Sequence, residues 1–562
     1  MQPIVTAAEM QALDRATIDE LGIPAFTLME TAGRALSRAV LAALGELGEI
    51  GEPGELGEPG DRAGAATRRA VDRSVTRAAN VTCAVVCGPG NNGADGFVAA
   101  RVLRAAGVNA TVVLVAARAS VTGDAAAHLA VYERAGGQVH AVTTAADAAM
   151  IASSTIVVDA LFGIGLARPI AGIQREVIAA MARAAYVVAC DLPSGLAADT
   201  GAILGTVARA NRTIAMGALK VALVSSPGFI ECGRVEVAAI GIEPAAIRRA
   251  AHAWLVEESD VAGWLPRGTE LDHKGHRGHV LVVGGAPAMR GAGRLAAVAA
   301  LRAGAGLVTL AGDGEVTAPD SVMTRTLAPG AFAGGANVDD GADGAADPGA
   351  AALASALAGK HAVVIGPGLN QGAFAAARVA QVLAAGVPAV IDADALNGLA
   401  SRPDAIAAAA GPVIITPHPA EAARLLGCTT AEVEADRLAA ARRLAAVTRA
   451  VVVLKGARTI VCDGGECYLN PTGGPALATA GSGDVLAGVI AALLAQRLGA
   501  LDAARAGVYL HGAAGDALGA ALARGTMSSD LPLAVAHALA GLAARIPAIA
   551  SPRTTDCVRR DA

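Results

Sequence analysis

The chain has 562 residues, more than one hydrophobic core normally serves, so two large domains are expected. Apolar residues make up 54% of it, aromatic residues 2%, and the formal net charge is −5. Without a basic field or stacking rings, nucleic-acid binding is excluded as a first reading. The alanine-rich stretches are broken by charge and glycine, as at Arg302 and Gly304, so no membrane-spanning helix and no membrane partner is expected.

The N-terminal residues place Glu9, Asp14, Asp19 and Glu20 among apolar positions, which is not the pattern of a signal peptide. Residues 45–72 repeat Gly-Glu units with few core residues and read as a mobile surface insertion. Apolar, β-branched runs at 81–87, 111–115, 154–159 and 186–191 read as buried strands between helical stretches, the alternation of an open parallel sheet with helices on both faces. A closing strand at 235–242 ends this set, and the seam is expected near Ala250. The pattern restarts with runs at 279–283, 306–311, 361–365, 389–392, 412–416, 450–454 and 459–462. Residues 313–349, rich in Gly, Ala and Asp, read as a second mobile loop. The expected architecture is therefore α/β in both halves: a three-layer α/β/α domain over 1–249, a second over 250–550, and a tail at 551–562. Eight cysteines without Cys-x-x-Cys spacing fit buried thiols in a reducing cytosol, hence a cytoplasmic protein. The alanine-rich helices offer close-packing faces, and a homo-oligomer is expected.

In the first half, the run 81–87 enters Gly88-Pro-Gly-Asn-Asn-Gly-Ala-Asp-Gly96 and then a helical stretch from Phe97. A glycine-rich turn from strand to helix presents backbone N–H groups at the positive end of the helix dipole, which suits a phosphate. It lacks the Gly-x-Gly-x-x-Gly fingerprint, so hydride transfer loses its main support. Two more strand ends carry Asp159-Ala-Leu-Phe-Gly-Ile-Gly-Leu-Ala-Arg-Pro169 and Asp191-Leu-Pro-Ser-Gly195. Loops beyond strand carboxyl ends converge in such sheets, so Asn92, Asp159, Asp191 and Ser194 are expected to meet, as oxygen ligands for a hard cation beside a proton-moving carboxylate. The competing reading is that these are turn and cap residues.

Together with Thr27-Leu-Met-Glu-Thr-Ala-Gly33, these strings resemble the NAD(P)H-hydrate epimerase family over most of residues 1–245, a Rossmann-like domain. The resemblance implies that Asn91, Asn92, Gly93, Ala94 and Asp95, with Gly163, Ile164, Gly165, Leu166, Ala167, Arg168 and Pro169, hold the hydrated cofactor. It also implies that Asn92, Asp159 and Ser194 bind potassium, and that Asp191 acts catalytically on the substrate. Ala94 stands where the family generally has Gly; at positive φ it would add strain of about 1 kcal/mol.

In the second half, Thr472-Gly-Gly-Pro-Ala-Leu-Ala-Thr-Ala-Gly-Ser-Gly-Asp484 leads into an apolar helix. Gly481, Ser482 and Gly483 can form an anion hole for a transferring phosphoryl group, with Asp484 as the base. The competing reading is an ordinary N-cap, since Ser and Asp both cap helices. No Gly-x-x-x-x-Gly-Lys-Ser/Thr string occurs, which excludes a P-loop. The run 451–460 contains Lys455 and Arg458, placed to reach nucleotide phosphates.

These features resemble the ribokinase-like superfamily. The strings Gly291-Ala-Gly-Arg-Leu-Ala-Ala297, Ile365-Gly-Pro-Gly-Leu369, Asp392-Ala-Asp-Ala-Leu396 and Thr416-Pro-His-Pro-Ala-Glu421 look like its nucleotide-dependent NAD(P)H-hydrate dehydratase branch over roughly 265–545. Residues 286–291 depart from the branch, which there favours Ser and an aromatic residue. The resemblance implies substrate contacts from Ala292, Gly366, Gly368, His418 and catalytic Asp484, and nucleotide contacts from Lys455, Gly456, Ala457, Arg458, Thr459 and Gly483. It further implies ADP as co-substrate with magnesium, and hydrated NADH and NADPH as substrates. The expected activity is epimerisation of the R and S hydrates in the first domain, and ADP-driven dehydration of the S form in the second. A ribokinase-like small-molecule kinase with a non-catalytic N-terminal binding module also fits the residues.

Overall fold

The computed structural model describes residues 1–48, 81–327 and 348–545. By internal contacts Gln2–Ala253 form one compact unit, and Trp254 onward, with Met1, form the other.

The first unit is built on a parallel seven-stranded sheet among the described residues. Its spatial order is Val139–Ala141, Asn109–Leu114, Thr82–Cys87, Ile156–Ala160, Val187–Cys190, Arg212–Met216, Arg234–Ala238. The chain starts in the middle, at Thr82–Cys87, runs outward to Val139–Ala141, then crosses to Ile156–Ala160 and runs outward the other way. The order therefore reverses between Thr82–Cys87 and Ile156–Ala160, where a crevice opens beyond their carboxyl ends. Both strands are buried nearly throughout, as their unbroken apolar runs require. On one face, helix Asn91–Ala105 packs on helix Ala25–Glu46. Gly33 permits the approach: a Cβ there would lie 2.4 Å from Val98 Cβ.

Three expectations need correction here. Helix Asn91–Ala105 begins six residues before Phe97, so the asparagines belong to its first turn. Ala94 lies inside that helix and is absent from the left-handed residues, so it carries no such strain. Gly45 and Glu46 end helix Ala25–Glu46, while the rest of that insertion from residue 49 lies outside the described residues. Arg212–Met216 escaped sequence reading because a charged residue opens it. The Arg212 side chain is 3% exposed and pairs with Glu46 at 2.8 Å.

The second unit's sheet runs Met323–Thr326, Leu307–Gly312, His279–Val283, Ala362–Ile365, Ala389–Ile391, Val413–Ile415, Val451–Leu454, Ile460–Cys462, Cys467–Leu469. It is parallel as far as Val451–Leu454. The last two strands are antiparallel, against the parallel expectation for 459–462. The connections 455–459 and 463–466 are hairpin loops, too short for the crossover a parallel strand needs. The second expected mobile loop is also partly ordered: Met323–Thr326 is an edge strand and Pro348–Leu357 a helix, while 328–347 lie outside the described residues. The strand order reverses between His279–Val283 and Ala362–Ile365, again marking a crevice.

Helix Ser482–Ala495 is apolar on nearly every side and packs on Arg290–Arg302, with Gly488 against the Ala296 carbonyl. Its fourteen residues place it in a core. Among the described residues no helix is long and apolar enough to cross a membrane. The cysteines of the described residues are free, and all but Cys428 are buried.

Candidate active sites

In the first unit a cavity of 690 Å³ opens at the strand-order reversal. Asn91, Asn92, Asp95, Gly163 through Arg168 and Asp191 line it. Gly93, Ala94 and Pro169 do not. Gly93 is instead a close-approach position, where a Cβ would sit 2.0 Å from the Gly88 carbonyl oxygen. Gly90 is the N-cap of helix Asn91–Ala105 and supplies no side-chain cap, which leaves the first-turn amides for a ligand.

Asp159 and Ser194 form one buried unit. Ser194 donates its hydroxyl to Asp159 Oδ1 at 2.6 Å and its amide to Oδ2 at 2.7 Å. The amide of Phe162 donates to Ser194 Oγ at 2.9 Å. Burial, opposed by these hydrogen bonds, pushes the Asp159 carboxyl up to about 6. The groups acting on it are neutral, so this buried carboxylate lacks a counter-charge from the described residues. Asn92 packs beside Gly163, and its buried Nδ2 has no partner. Rotating that amide offers an oxygen instead. A buried uncompensated carboxylate, a hydroxyl and a reversible amide fit a hard monovalent cation.

Asp191 has φ 65°, a left-handed conformation that Asp tolerates better than most residues. Its Oδ1 accepts from Lys220 Nζ at 2.5 Å and from the Met216 amide at 3.0 Å. Lys220 is 1% exposed and also donates to the Met216 carbonyl at 2.6 Å. It gives Asp191 the counter-ion a buried carboxylate needs. Burial first, then the Asp191 charge, holds the Asp95 carboxyl well above the ordinary carboxylate range. Sequence reasoning missed Lys220 and Asp14, both of which line the cavity. The available signal was the lone charge of Lys220 within the apolar run 214–224, since a buried lysine needs a partner.

In the second unit, helix Ser482–Ala495 starts from Gly481 at φ 89°, and no side chain caps it. Ser482 Oγ lies 3.2 Å from His511 Nε2 instead, and burial lowers His511 to about 4, so the imidazole is neutral. The ordinary N-cap reading fails on that geometry, and the first-turn amides remain for an anion. A Cβ at Gly483 would lie 3.3 Å from Lys455 Nζ and 3.9 Å from Asp392 Oδ2. Lys455 therefore sits against the glycine turn. Its Nζ lies 2.8 Å from Asp392 Oδ1 and 3.8 Å from Glu421 Oε2. Burial works to lower the Lys455 ammonium, but Asp392 and Glu421 outweigh it and hold it above its ordinary value. Burial first, then the charge of Asp392, lifts Asp484 up to about 7 against the pull of Lys455.

The remaining expected residues divide. Gly366 and Gly368 have φ 127° and 60°, and their would-be Cβ atoms meet the Asp392 carbonyl at 1.8 Å and Ala292 Cβ at 3.2 Å. Ala292, both glycines and Asp392 thus gather at the reversal point. His418 caps helix Pro419–Leu426 through Nδ1, which accepts from Ala420 and Glu421 amides, and its side chain is 47% exposed. Arg458 Nη1 donates to the Pro471 carbonyl at 2.7 Å. Thr459 Oγ1 closes the turn onto the Gly456 carbonyl at 2.9 Å, and Ala457 is exposed. Arg437, unremarked in the sequence, braces this turn by donating to the Leu454 and Lys455 carbonyls.

Two open α/β units, each gathering charged groups at the carboxyl ends of its strands, define a two-domain enzyme acting on small molecules. A family model described as YjeF-related protein N-terminus matches residues 25–222, and one described as NAD(P)H-hydrate dehydratase matches 280–535. A bifunctional NAD(P)H-hydrate repair enzyme of Moorella thermoacetica is 39% identical over 533 residues, which cover 91% of this chain and 92% of that protein. One of Escherichia coli is 37% identical, covering 80% of this chain and 83% of its own. Among solved structures, the ADP/ATP-dependent NAD(P)H-hydrate dehydratase of Bacillus subtilis, co-crystallised with ATP and magnesium, is 28% identical over 51% of this chain and 98% of its own, with a TM-score of 0.43. The chain belongs to the bifunctional NAD(P)H-hydrate repair enzyme family.

Proposed function

We propose that the first unit interconverts the R and S hydrates of NADH and NADPH and that the second dehydrates the S form at the expense of ADP, releasing AMP and phosphate. The observation that carries the second half is the contact of Lys455 with the uncapped glycine turn, with Asp484 in the same first helical turn. Lys455 and the Gly483 amide neutralise nucleotide phosphate charge, and the amides of the turn receive the transferring group. Asp484 takes the proton of the substrate hydroxyl as its oxygen attacks the β-phosphorus and AMP leaves. Loss of phosphate from the phosphorylated carbon, with a proton from the neighbouring carbon, restores the ring double bond. Gly366, Gly368 and Ala292 let the substrate approach closely, and His418 presents Nε2 beside Glu421.

Magnesium supplies charge neutralisation on the nucleotide when bound. Among the described residues no group of three acidic, histidine or cysteine side chains is placed to hold a metal ion. Potassium fits Asp159, Ser194 and Asn92 in the first unit, where it would compensate the buried carboxylate. Asp191 works there on the substrate as base, with Asn91–Asp95 and Gly163–Arg168 holding the dinucleotide. Free, buried thiols support a reducing, cytosolic setting, and the alanine-rich helical faces support a homo-oligomer.

The test is the full chain with S-hydrated NADH and ADP. Return of the near-ultraviolet absorbance of NADH supports the reading, and accumulation of a stable phosphorylated product would show a plain kinase instead. ATP run alongside ADP tests nucleotide choice. Epimerisation is read separately, as conversion of pure R hydrate to S in the absence of nucleotide.

A further inference from the structure

Helix Ala7–Asp19 lies outside the residues 25–222 matched by the first family model, yet Met10, Gln11, Asp14 and Ile18 turn one of its faces into the cavity. Positions three and four apart share a helix face, so this helix forms a wall of the site. Its acid there is Asp14. The carboxyl groups of Asp14, Asp95 and Asp191 thus share one cavity with Lys220, which is already paired with Asp191. Arg168 also lines the cavity but is exposed.

We propose that Asp14 is the proton donor of the epimerase site, acting on the ring nitrogen of the hydrated nicotinamide while Asp191 takes the proton of its hydroxyl. The inference rests on the epimerase reading above and deepens it. Water adds to an enamine with its oxygen on the carbon next to nitrogen, so the hydroxyl and the ring nitrogen share one carbon, and that carbon is the epimeric centre. As Asp191 removes the hydroxyl proton, the O–H electron pair forms a carbonyl, the carbon–nitrogen bond breaks, and its pair takes the proton of Asp14. The ring is then an open aldehyde and an N–H. Rotation exposes the other face of the carbonyl. In closure the nitrogen attacks that face and returns its proton to Asp14, and the oxygen recovers a proton from Asp191. Atoms and electrons balance, both carboxyl groups end as they began, and no co-reactant is used.

Two further observations favour Asp14. It stands on a different element from Asp191, so the two can meet a substrate held between them. Burial first, and the Asp191 charge after it, hold the Asp14 carboxyl above its ordinary value against the pull of Lys220. Three carboxylates around one lysine favour a retained proton. The charged groups facing Asp14 are Lys220 and Asp191, with Asp95 also acting through the cluster. Helix Pro244–Ala250, packed against Ala7–Asp19, carries Arg248 and Arg249, both exposed.

The test uses the full chain and pure R-hydrated NADH without nucleotide. Asp14→Asn is expected to lower kcat for epimerisation about 100-fold with KM within about threefold, and to remove the high-pH fall of the wild-type profile. Asp14→Glu is expected to recover about tenfold of that loss and to bring the high-pH fall back, shifted. An Asn variant that keeps more than about a third of wild-type kcat, or loses only in KM, overturns the proposal. If the Asn variant unfolds, the Glu variant decides: activity with an unshifted pH profile overturns it equally. A wild-type chain that fails to convert R to S overturns the epimerase reading itself, which separates the two failures.

Discussion

Each unit holds a lysine–aspartate pair, and the two pairs work differently. In the first, Lys220 is 1% exposed, lies 2.5 Å from Asp191, and pairs a carboxylate that lines the cavity. In the second, Lys455 is 19% exposed, lies 2.8 Å from Asp392, and leaves the reacting acid, Asp484, unpaired and lifted to about 7. The enclosed lysine is the counter-ion of a buried carboxylate. The more open one rests against the Gly483 turn, with Asp392 and Glu421 keeping it cationic. On the proposed reading the same residue types serve proton transfer in one unit and phosphoryl transfer in the other.

The largest effect should come from Asp484→Asn, which removes the base. Dehydration of the S hydrate should fall on the order of 1,000-fold while R-to-S conversion is unchanged. Equal loss of both activities would break the division of labour between the units. Next, Lys220→Met leaves Asp191 buried without its counter-ion and should destabilise the first unit by about 3–5 kcal/mol. Lys455→Met strands the buried Asp392 carboxylate and should also destabilise its unit, but in addition it should raise the KM for nucleotide. Dehydration kinetics of the two variants side by side sharpen the comparison; a nucleotide KM raised equally in both would erase it.

Dehydration should also depend on pH through Asp484. The base must be ionised, so kcat should fall about tenfold per unit as pH drops below about 7. In Asp484→Glu that limb should move, and a profile unmoved in that variant would assign it elsewhere. Gly483→Ala is subtler. Its Cβ would press on Lys455 Nζ at 3.3 Å, the far end of a flexible side chain, so the fold tolerates it. Stability should change by less than about 1 kcal/mol, and the KM for ADP should rise several-fold. The smallest effect is on potassium withdrawal, which should slow epimerisation a few-fold and spare dehydration. Asp159→Asn should abolish that response, since the amide brings no charge for a cation to neutralise.

Most of the fold was legible from apolar periodicity, because buried parallel strands need unbroken runs such as 81–87 and 279–283. Strands that broke the run were missed: Arg212–Met216 opens with a buried arginine, and Met323–Thr326 is an exposed edge. The site was legible wherever glycine marks a turn or a close approach, as at Gly366, Gly368 and Gly481. It was illegible where one ordinary residue acts through distant partners. Arg437 braces a turn formed by residues 454–456. Arg458 likewise donates to the Pro471 carbonyl, which no local spacing announces.

The sequence by itself determined two α/β units, the glycine turns that precede their helices, and a family whose motifs are local strings. Those features depend on neighbours a few positions away, and local backbone conformation carries them. Only the tertiary structure decided that Asp14, Asp95, Asp191 and Lys220 share one cavity and that Lys455 rests on the Gly483 turn. Strand order in each sheet brings those residues together across long stretches of chain, and the burial that results sets the charge each of them carries.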